Sequence, residues 1–163
     1  MSVEEREQTM AKRMKAAALA GLLALTLCAC GRQGGEEKAD VDLAALCGEL
    51  TALCGEDLYE LDEDTVKSLY DDLDTEQALV WSSSGSTADE VALFQAADAD
   101  GAEAVLAAVQ QRVEDRRESY ADYMPDEAAK LEQAIAEQHG TYVVLCVCPE
   151  PDQAREITDR YFE

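Results

Sequence analysis

Apolar positions along the chain follow two periods, and the change of period predicts where helices alternate with strands. Apolar residues spaced three and four apart predict five helices. They are residues 41–54, a short helix capped by Asp62 or Asp64, a long helix from Asp100 to near Tyr123, residues 126–138, and a last helix from Pro151. Short apolar runs predict four strands, at residues 58–61, 78–82, 91–95 and 142–148.

The order of these elements predicts the fold class. The runs 78–82 and 91–95 flank a polar link and are expected to form an antiparallel hairpin. The run 142–148, YVVLCVC, is uncharged and is expected to be central in the sheet. Because the strands cluster and the helices are expected to pack on one side, the sequence predicts an α+β fold. This is a small, mostly antiparallel sheet packed against helices in a single domain, residues 41–163.

Two boundary signals refine the helices. Asp100 and Glu103 resemble a capping box at the start of the long helix. Gly140 is expected to end the helix at 126–138, because glycine readily adopts the left-handed conformation that closes a helix.

The first 29 residues have the pattern of a secretory signal peptide. Lys12, Arg13 and Lys15 precede an apolar segment, residues 16–27, without charge. As a helix this segment is about 18 Å long, too short for a bilayer core of about 30 Å. We therefore expect residues 1–29 to direct export and to be removed.

The end of this segment, Leu27-Cys28-Ala29-Cys30, resembles a bacterial lipobox. The resemblance implies a diacylglyceryl group on Cys30 and cleavage after Ala29. Residues 30–40 are glycine-rich and charged, as expected of a flexible acidic tether. The expected location is the outer face of the bacterial cytoplasmic membrane, with the membrane as a partner through the lipid; an ordinary signal peptide without lipid is the alternative.

Charge limits the classes of partner. The 163 residues carry 13 Lys and Arg against 36 Asp and Glu, a formal net charge of −23. Such a surplus repels nucleic acid and anionic headgroups, so no nucleic-acid partner is expected.

Four cysteines fall in the predicted domain: Cys47, Cys54, Cys146 and Cys148. Cys47 and Cys54 are two helical turns apart, about 10 Å, too far for a bridge between them. The open alternatives are buried free thiols, a disulfide between helix and strand, and a metal site, for which His139 is the only histidine.

Three arginines on the long helix are the candidate binding residues: Arg112, Arg116 and Arg117. Arg112 and Arg116 share a helix face and are suited to bind an anionic ligand or a partner carboxylate. Local pairs with Asp115 and Glu114 are the alternative. Tyr120 and Tyr123 nearby fit either an interface or core packing.

Other motifs carry no catalytic or metal prediction. In DADG, residues 98–101, an EF-hand register would place alanines at the first and last ligand positions, so a helix cap is expected. The serine-rich link at 82–86 lacks the Gly-x-Ser-x-Gly elbow, and His139 is the only imidazole base. The acidic run that contains Asp71, Asp72, Asp74 and Glu76 is expected to be a solvated loop. No cofactor is expected.

The segments ALVWSSSGSTADEVALFQAADADGAEAV, RRESYADYMPDEAAKLE and GTYVVLCVCPEPDQAREITDRYF resemble a family of small bacterial lipoproteins, domain of unknown function 4358. The resemblance runs from Leu58 to Phe162 and includes a Tyr-x-x-Tyr-x-Pro element at Tyr120, Tyr123 and Pro125. It also includes a Gly-x-Tyr strand entry at Gly140. The resemblance implies a lipid-anchored extracytoplasmic domain and assigns no activity.

These observations favour a non-enzymatic binding or interaction module whose partner is an unknown protein or small molecule. The alternatives are a solute-binding lipoprotein accessory to a transporter and an envelope hydrolase.

Overall fold

The computed structural model describes residues 40–55, 57–70 and 73–163. The predicted signal peptide, Cys30 and nearly all of the predicted tether lie outside the described residues, as do Asp71 and Asp72. Asp40 to Glu163 form one compact unit. Within the described part of the chain, no helix is long and apolar enough to cross a membrane.

Five helices and five strands make up this domain. The helices are α1 (Leu43–Thr51), α2 (Glu63–Leu69), α3 (Ala99–Ala121), α4 (Pro125–Leu131) and α5 (Pro151–Phe162). The strands are β1 (Leu58–Glu60), β2 (Gln77–Ser83), β3 (Glu90–Gln95), β4 (Ile135–His139) and β5 (Tyr142–Val147). The predicted α+β class is confirmed.

All five strands belong to one antiparallel sheet in the order β1-β2-β3-β5-β4. The predicted hairpin of β2 and β3 is confirmed, with Ser82 opposite Glu90. β5 is an interior strand, as its uncharged sequence indicates, but β3 occupies the middle position.

The helices cover both faces of the sheet, so the expectation that they pack on one side is wrong. α2, α3 and α4 cover the face that carries Ala92, Phe94 and Leu145, which we call the arginine face. α1 and α5 cover the opposite face, which carries Leu93 and Cys146 and which we call the cysteine face. Both faces of β3 and β5 are buried because side chains on a strand alternate.

The predicted helix at 126–138 is also wrong in its second half. α4 ends at Leu131, and Ile135–His139 forms β4, which pairs with β5. The loop between His139 and Tyr142 has two residues, and Gly140 adopts a φ of 65° there. Gly140 is therefore a hairpin residue and not a helix stop, because tight hairpins require positive φ.

The helix caps are partly as predicted. The carboxylate of Asp62 accepts a hydrogen bond from the backbone N–H of Thr65 at 2.9 Å and caps α2. For α3 the cap is Asp98, which accepts from Gly101 N–H at 2.8 Å, so the capping box predicted at Asp100 is displaced by two residues.

Candidate functional site

A carboxylate with no solvent exposure lies at the start of β3. Glu90 shares the side-chain direction of Ala92 and Phe94, so it points into the arginine face beneath α3. Desolvation of a carboxylate is costly unless the charge is paired and hydrogen-bonded. The structure supplies those partners from three separate elements.

Two arginines of α3 converge on Glu90. Arg112 Nε donates to Oε1 at 2.7 Å and Arg112 Nη2 donates to Oε2 at 2.8 Å, which makes a bidentate pair. Arg116 Nη1 donates to Oε2 at 2.5 Å. The hydroxyl of Tyr70 and, at 3.2 Å, that of Ser82 complete the shell. We call these five residues the Glu90 centre.

The contacts within the Glu90 centre determine the protonation states of Glu90 and Tyr70. Burial raises the pKa of Glu90, but hydrogen bonds from Arg112 and the charges of both arginines outweigh it, so the pKa of Glu90 lies below its ordinary value. Burial and the charge of Glu90 raise the pKa of Tyr70 well above its ordinary range, which keeps its hydroxyl a donor. With two guanidiniums to one carboxylate, the centre carries a net positive charge.

The three arginines predicted as binding residues have different partners in the structure. Arg112 and Arg116 are brought together, but their donors are directed at Glu90, and their side chains are only 14% and 15% exposed. Arg117 lies apart and pairs with Glu114, one turn earlier on α3, at 2.5 Å. A hollow of about 190 Å³ borders both arginines and is also lined by Asp115.

A second buried charge lies beside Glu90. Asp89 is 1% exposed, and its Oδ1 accepts from Lys130 Nζ at 2.6 Å. Its Oδ2 accepts from the backbone N–H of Gly55 at 2.9 Å. Lys130 also pairs with Glu127 at 2.8 Å. These contacts hold α4 and the segment after α1 to the start of β3.

An acidic cleft opens beside α2. Its volume is about 1070 Å³, and its floor includes the rings of Tyr70 and Phe94, which contact edge to face with centroids 5.0 Å apart. Five carboxylates and one lysine line it: Glu60, Asp62, Glu63, Asp74, Glu76 and Lys67. Tyr70 therefore forms part of the cleft floor while its hydroxyl belongs to the Glu90 centre.

The serine and histidine weighed as a hydrolase pair lie at opposite ends of the sheet. The serine-rich link joins β2 to β3 at the end where Glu90 pairs with Val147. His139 pairs with Tyr142 at the other end. Val147 and Tyr142, the residues of β5 at these two ends, are five positions apart, which is about 17 Å along the strand.

The two tyrosines predicted near the arginines differ in burial. Tyr120 is buried, and its hydroxyl donates to the carbonyl oxygen of Thr87 at 2.9 Å, whereas Tyr123 is 63% exposed. The structure shows no disulfide among the four cysteines of the domain. In the part of the chain that the structure describes, no group of three or more His, Cys, Asp or Glu side chains is arranged to hold a metal ion.

Glu90 and Asp89 are the residues that sequence reasoning missed. One signal was present: Glu90 directly precedes the apolar run VALFQ and sits at an inward-facing position of the strand. An acid at such a position requires a buried cation, and Arg112 and Arg116 share one helix face.

Comparison with known proteins finds a matching family profile. The family profile described as Domain of unknown function (DUF4358) matches residues 55–148, which include all five strands and the three helices of the arginine face. No curated protein and no solved structure matches the chain. The match covers more than half of the 163 residues. The chain therefore belongs to the family described as Domain of unknown function (DUF4358).

Proposed function

We propose that this chain is a lipid-anchored, non-enzymatic binding domain on the outer face of the bacterial cytoplasmic membrane. In this proposal the acidic cleft binds a positively charged segment of a protein partner. The observation that carries the proposal is the cleft itself, which is lined by five carboxylates, one lysine and the apolar side chains of Leu61, Val66 and Leu73.

The anchoring part rests on residues 1–40. A lipobox-like ending at Cys30 follows a basic patch and a short apolar segment. Two acyl chains hold a protein durably at a membrane, whereas one chain binds only marginally. The acidic tether would keep the domain away from an anionic surface.

The test of anchoring compares two neighbouring cysteines. Cys30→Ala should abolish lipid attachment and processing after Ala29, while Cys28→Ala should leave both unchanged. Mass spectrometry of the N-terminal peptide of the protein from intact cells provides the readout. A mature protein without acyl chains on Cys30, or one that keeps residues 1–29, would contradict anchoring.

The binding part rests on size and charge. Small-molecule pockets span about 300–1,000 Å³, so a cleft of about 1070 Å³ has room for an extended peptide. Carboxylates on the rim favour lysine and arginine side chains, and the partly buried Leu61, Val66 and Leu73 offer apolar contact to their aliphatic stems.

Fluorescence titration with a lysine-rich peptide tests this surface. Glu60→Gln together with Glu76→Gln removes two rim charges and should weaken binding about tenfold, in proportion to the Coulomb attraction lost near a surface. The matched control is Glu103→Gln with Glu156→Gln, which changes net charge equally on exposed helix positions away from the cleft. Equal weakening by both pairs would contradict a site in the cleft.

A solute-binding lipoprotein that assists a transporter is the second candidate, because the cleft volume is also close to that of small-molecule sites. A thermal-shift screen with small organic cations separates the two candidates. Saturable stabilisation by a small cation, without peptide binding, favours the transporter role. The envelope hydrolase has less support, since the serine-rich link and His139 lie at opposite ends of the sheet.

A further inference from the structure

Three sulfur atoms meet at one corner of the cysteine face. Cys54 follows the end of α1, while Cys146 and Cys148 lie in and just beyond the end of β5. Cys54 Sγ lies 3.7 Å from the carbonyl oxygen of Val147, the residue between the other two cysteines. All three cysteines belong to the same apolar cluster, although they come from distant parts of the chain.

The direction of the side chains brings the sulfurs together. Cys146 and Cys148 are two residues apart, so both point toward the helices of the cysteine face. Cys54 Sγ lies 3.7 Å from the carbonyl oxygens of both Leu50 and Val147, so it sits between the end of α1 and the end of β5. The neighbouring thiols of Cys146 and Cys54 lower the pKa of Cys148, whereas the interaction with Cys148 and burial raise the pKa of Cys54.

We propose that Cys54 and Cys148 form a disulfide bond that ties the end of α1 to the end of β5. Cys146 is the less suitable partner, because its backbone is held between Val91 and Ile135 in ladders on both sides. Cys148 lies beyond the last ladder pair, so its backbone can make the small adjustment that the S–S bond geometry demands. The proposal rests on the sulfur positions and not on the proposed membrane anchoring.

The reaction is thiol–disulfide exchange with a disulfide oxidant. Cys54 is the half-buried sulfur and the more accessible one. Cys54 loses its proton as it attacks the oxidant, displaces one thiolate and forms a mixed disulfide. The thiolate of Cys148 then attacks Cys54 and displaces the second thiolate. The oxidant gains two electrons, and its two thiolates take up the two protons released by the cysteines.

The bond would constrain a part of the domain that the sheet does not hold. α1 makes no ladder with a strand and is retained mainly by apolar packing against β2, β3 and α5. A link that closes a loop of more than 90 residues restricts the unfolded chain strongly. For a domain of this size we expect a rise in Tm of about 10 °C.

Residue-resolved labelling of the full chain tests the proposal. The reduced protein is incubated with oxidised glutathione, denatured, and treated with light iodoacetamide. After reduction it is treated with heavy iodoacetamide. Mass spectrometry should find the heavy label on Cys54 and Cys148 and the light label on Cys47 and Cys146. Light label on all four cysteines, or heavy label on Cys54 with Cys146, would overturn the assignment.

Variants provide a second readout. Cys148→Ser should abolish the rise in Tm caused by oxidised glutathione, whereas Cys47→Ser and Cys146→Ser should retain it. Cys47 is the matched control, because it is a buried cysteine of α1 in the same apolar cluster. An undiminished rise in Cys148→Ser would refute the bond. If that variant does not fold, the labelling pattern of the unmodified chain still decides.

Discussion

The two faces of the sheet are buried by different means. The arginine face encloses a carboxylate and two guanidiniums at its edge, held by hydrogen bonds of 2.5–2.8 Å. The cysteine face is closed by leucines of α1 and by Ala154, Ile157, Tyr161 and Phe162 of α5, and its buried polar side chain within the described residues is Thr158. One face therefore adds a buried charge cluster to its apolar core, whereas the other is closed by apolar packing.

The elements that cover the two faces also differ in whether they lie within the family match. The residues that match the family profile, 55–148, include both the sheet and the Glu90 centre. α1 and α5, which cover the cysteine face, lie outside the match. The Glu90 centre thus lies within the matched residues.

The largest expected effect is on the arginine face. Glu90→Gln leaves two partly buried guanidiniums without their carboxylate. Removal of one partner from a buried ion pair costs about 3–5 kcal/mol, so we expect the free energy of unfolding in urea to fall by about 4 kcal/mol. The matched control, Glu114→Gln, removes the exposed pair with Arg117 and should change stability little. Similar losses from both substitutions would show that burial of Glu90 is energetically unimportant.

The cysteine face should respond to loss of volume. Leu50 has no exposure and packs between α1 and the sheet, so Leu50→Ala creates a cavity there. We expect a loss of about 3 kcal/mol in urea denaturation, from transfer and cavity terms together. Leu69→Ala, at a position 38% exposed, should cost under about 1 kcal/mol. A smaller loss at Leu50 than at Leu69 would contradict the assigned packing of α1.

Acid should weaken the arginine face selectively. Because the pKa of Glu90 is lowered on folding, its contribution to the free energy of unfolding is fully present when the pH is above the ordinary glutamate pKa of about 4.3. The contribution is lost as the pH falls through the lowered value. The difference in stability between the unmodified protein and Glu90→Gln should therefore be constant from about pH 5 to 7 and shrink below about pH 4. Urea denaturation at each pH measures it, and a difference that widens in acid would refute the ionised pair.

The smallest expected effect is an alkaline dependence of the cysteine face. Burial, with a smaller effect from the charge of Glu60, raises the pKa of Cys47 from 9.0 to about 11. Because this pKa is raised on folding, the contribution of Cys47 to the free energy of unfolding is fully present below pH 9 and is lost as the pH rises toward 11. The stability of the unmodified protein relative to Cys47→Ala should decline across that interval, and other alkaline titrations cancel in the comparison. A flat difference would place Cys47 in contact with water.

Much of the fold could be predicted from local pattern. The first helix, the β2–β3 hairpin, β5 and α5 were all indicated by apolar spacing. The helix at 126–138 failed because IAEQH has weak strand character by itself. Its strand conformation comes from pairing with the exposed edge of β5 across the turn at Gly140.

The candidate site was less predictable than the fold. Arg112 and Arg116 were singled out as candidate binding residues, but the sequence did not identify Glu90, 22 and 26 residues away, as the acid that they contact. The acidic cleft was invisible in sequence, because carboxylates are abundant throughout the chain and a concave surface with Tyr70 and Phe94 at its floor exists only after folding.

By itself the sequence determined the α+β class, the family resemblance and most element positions, because the period of apolar residues selects helix or strand locally. Only the tertiary structure decided that helices cover both faces, that β4 is a strand, that Glu90 collects two arginines, and that Cys54 lies beside β5. Each of these depends on contacts between residues far apart in the chain, and local spacing carries no information about such contacts.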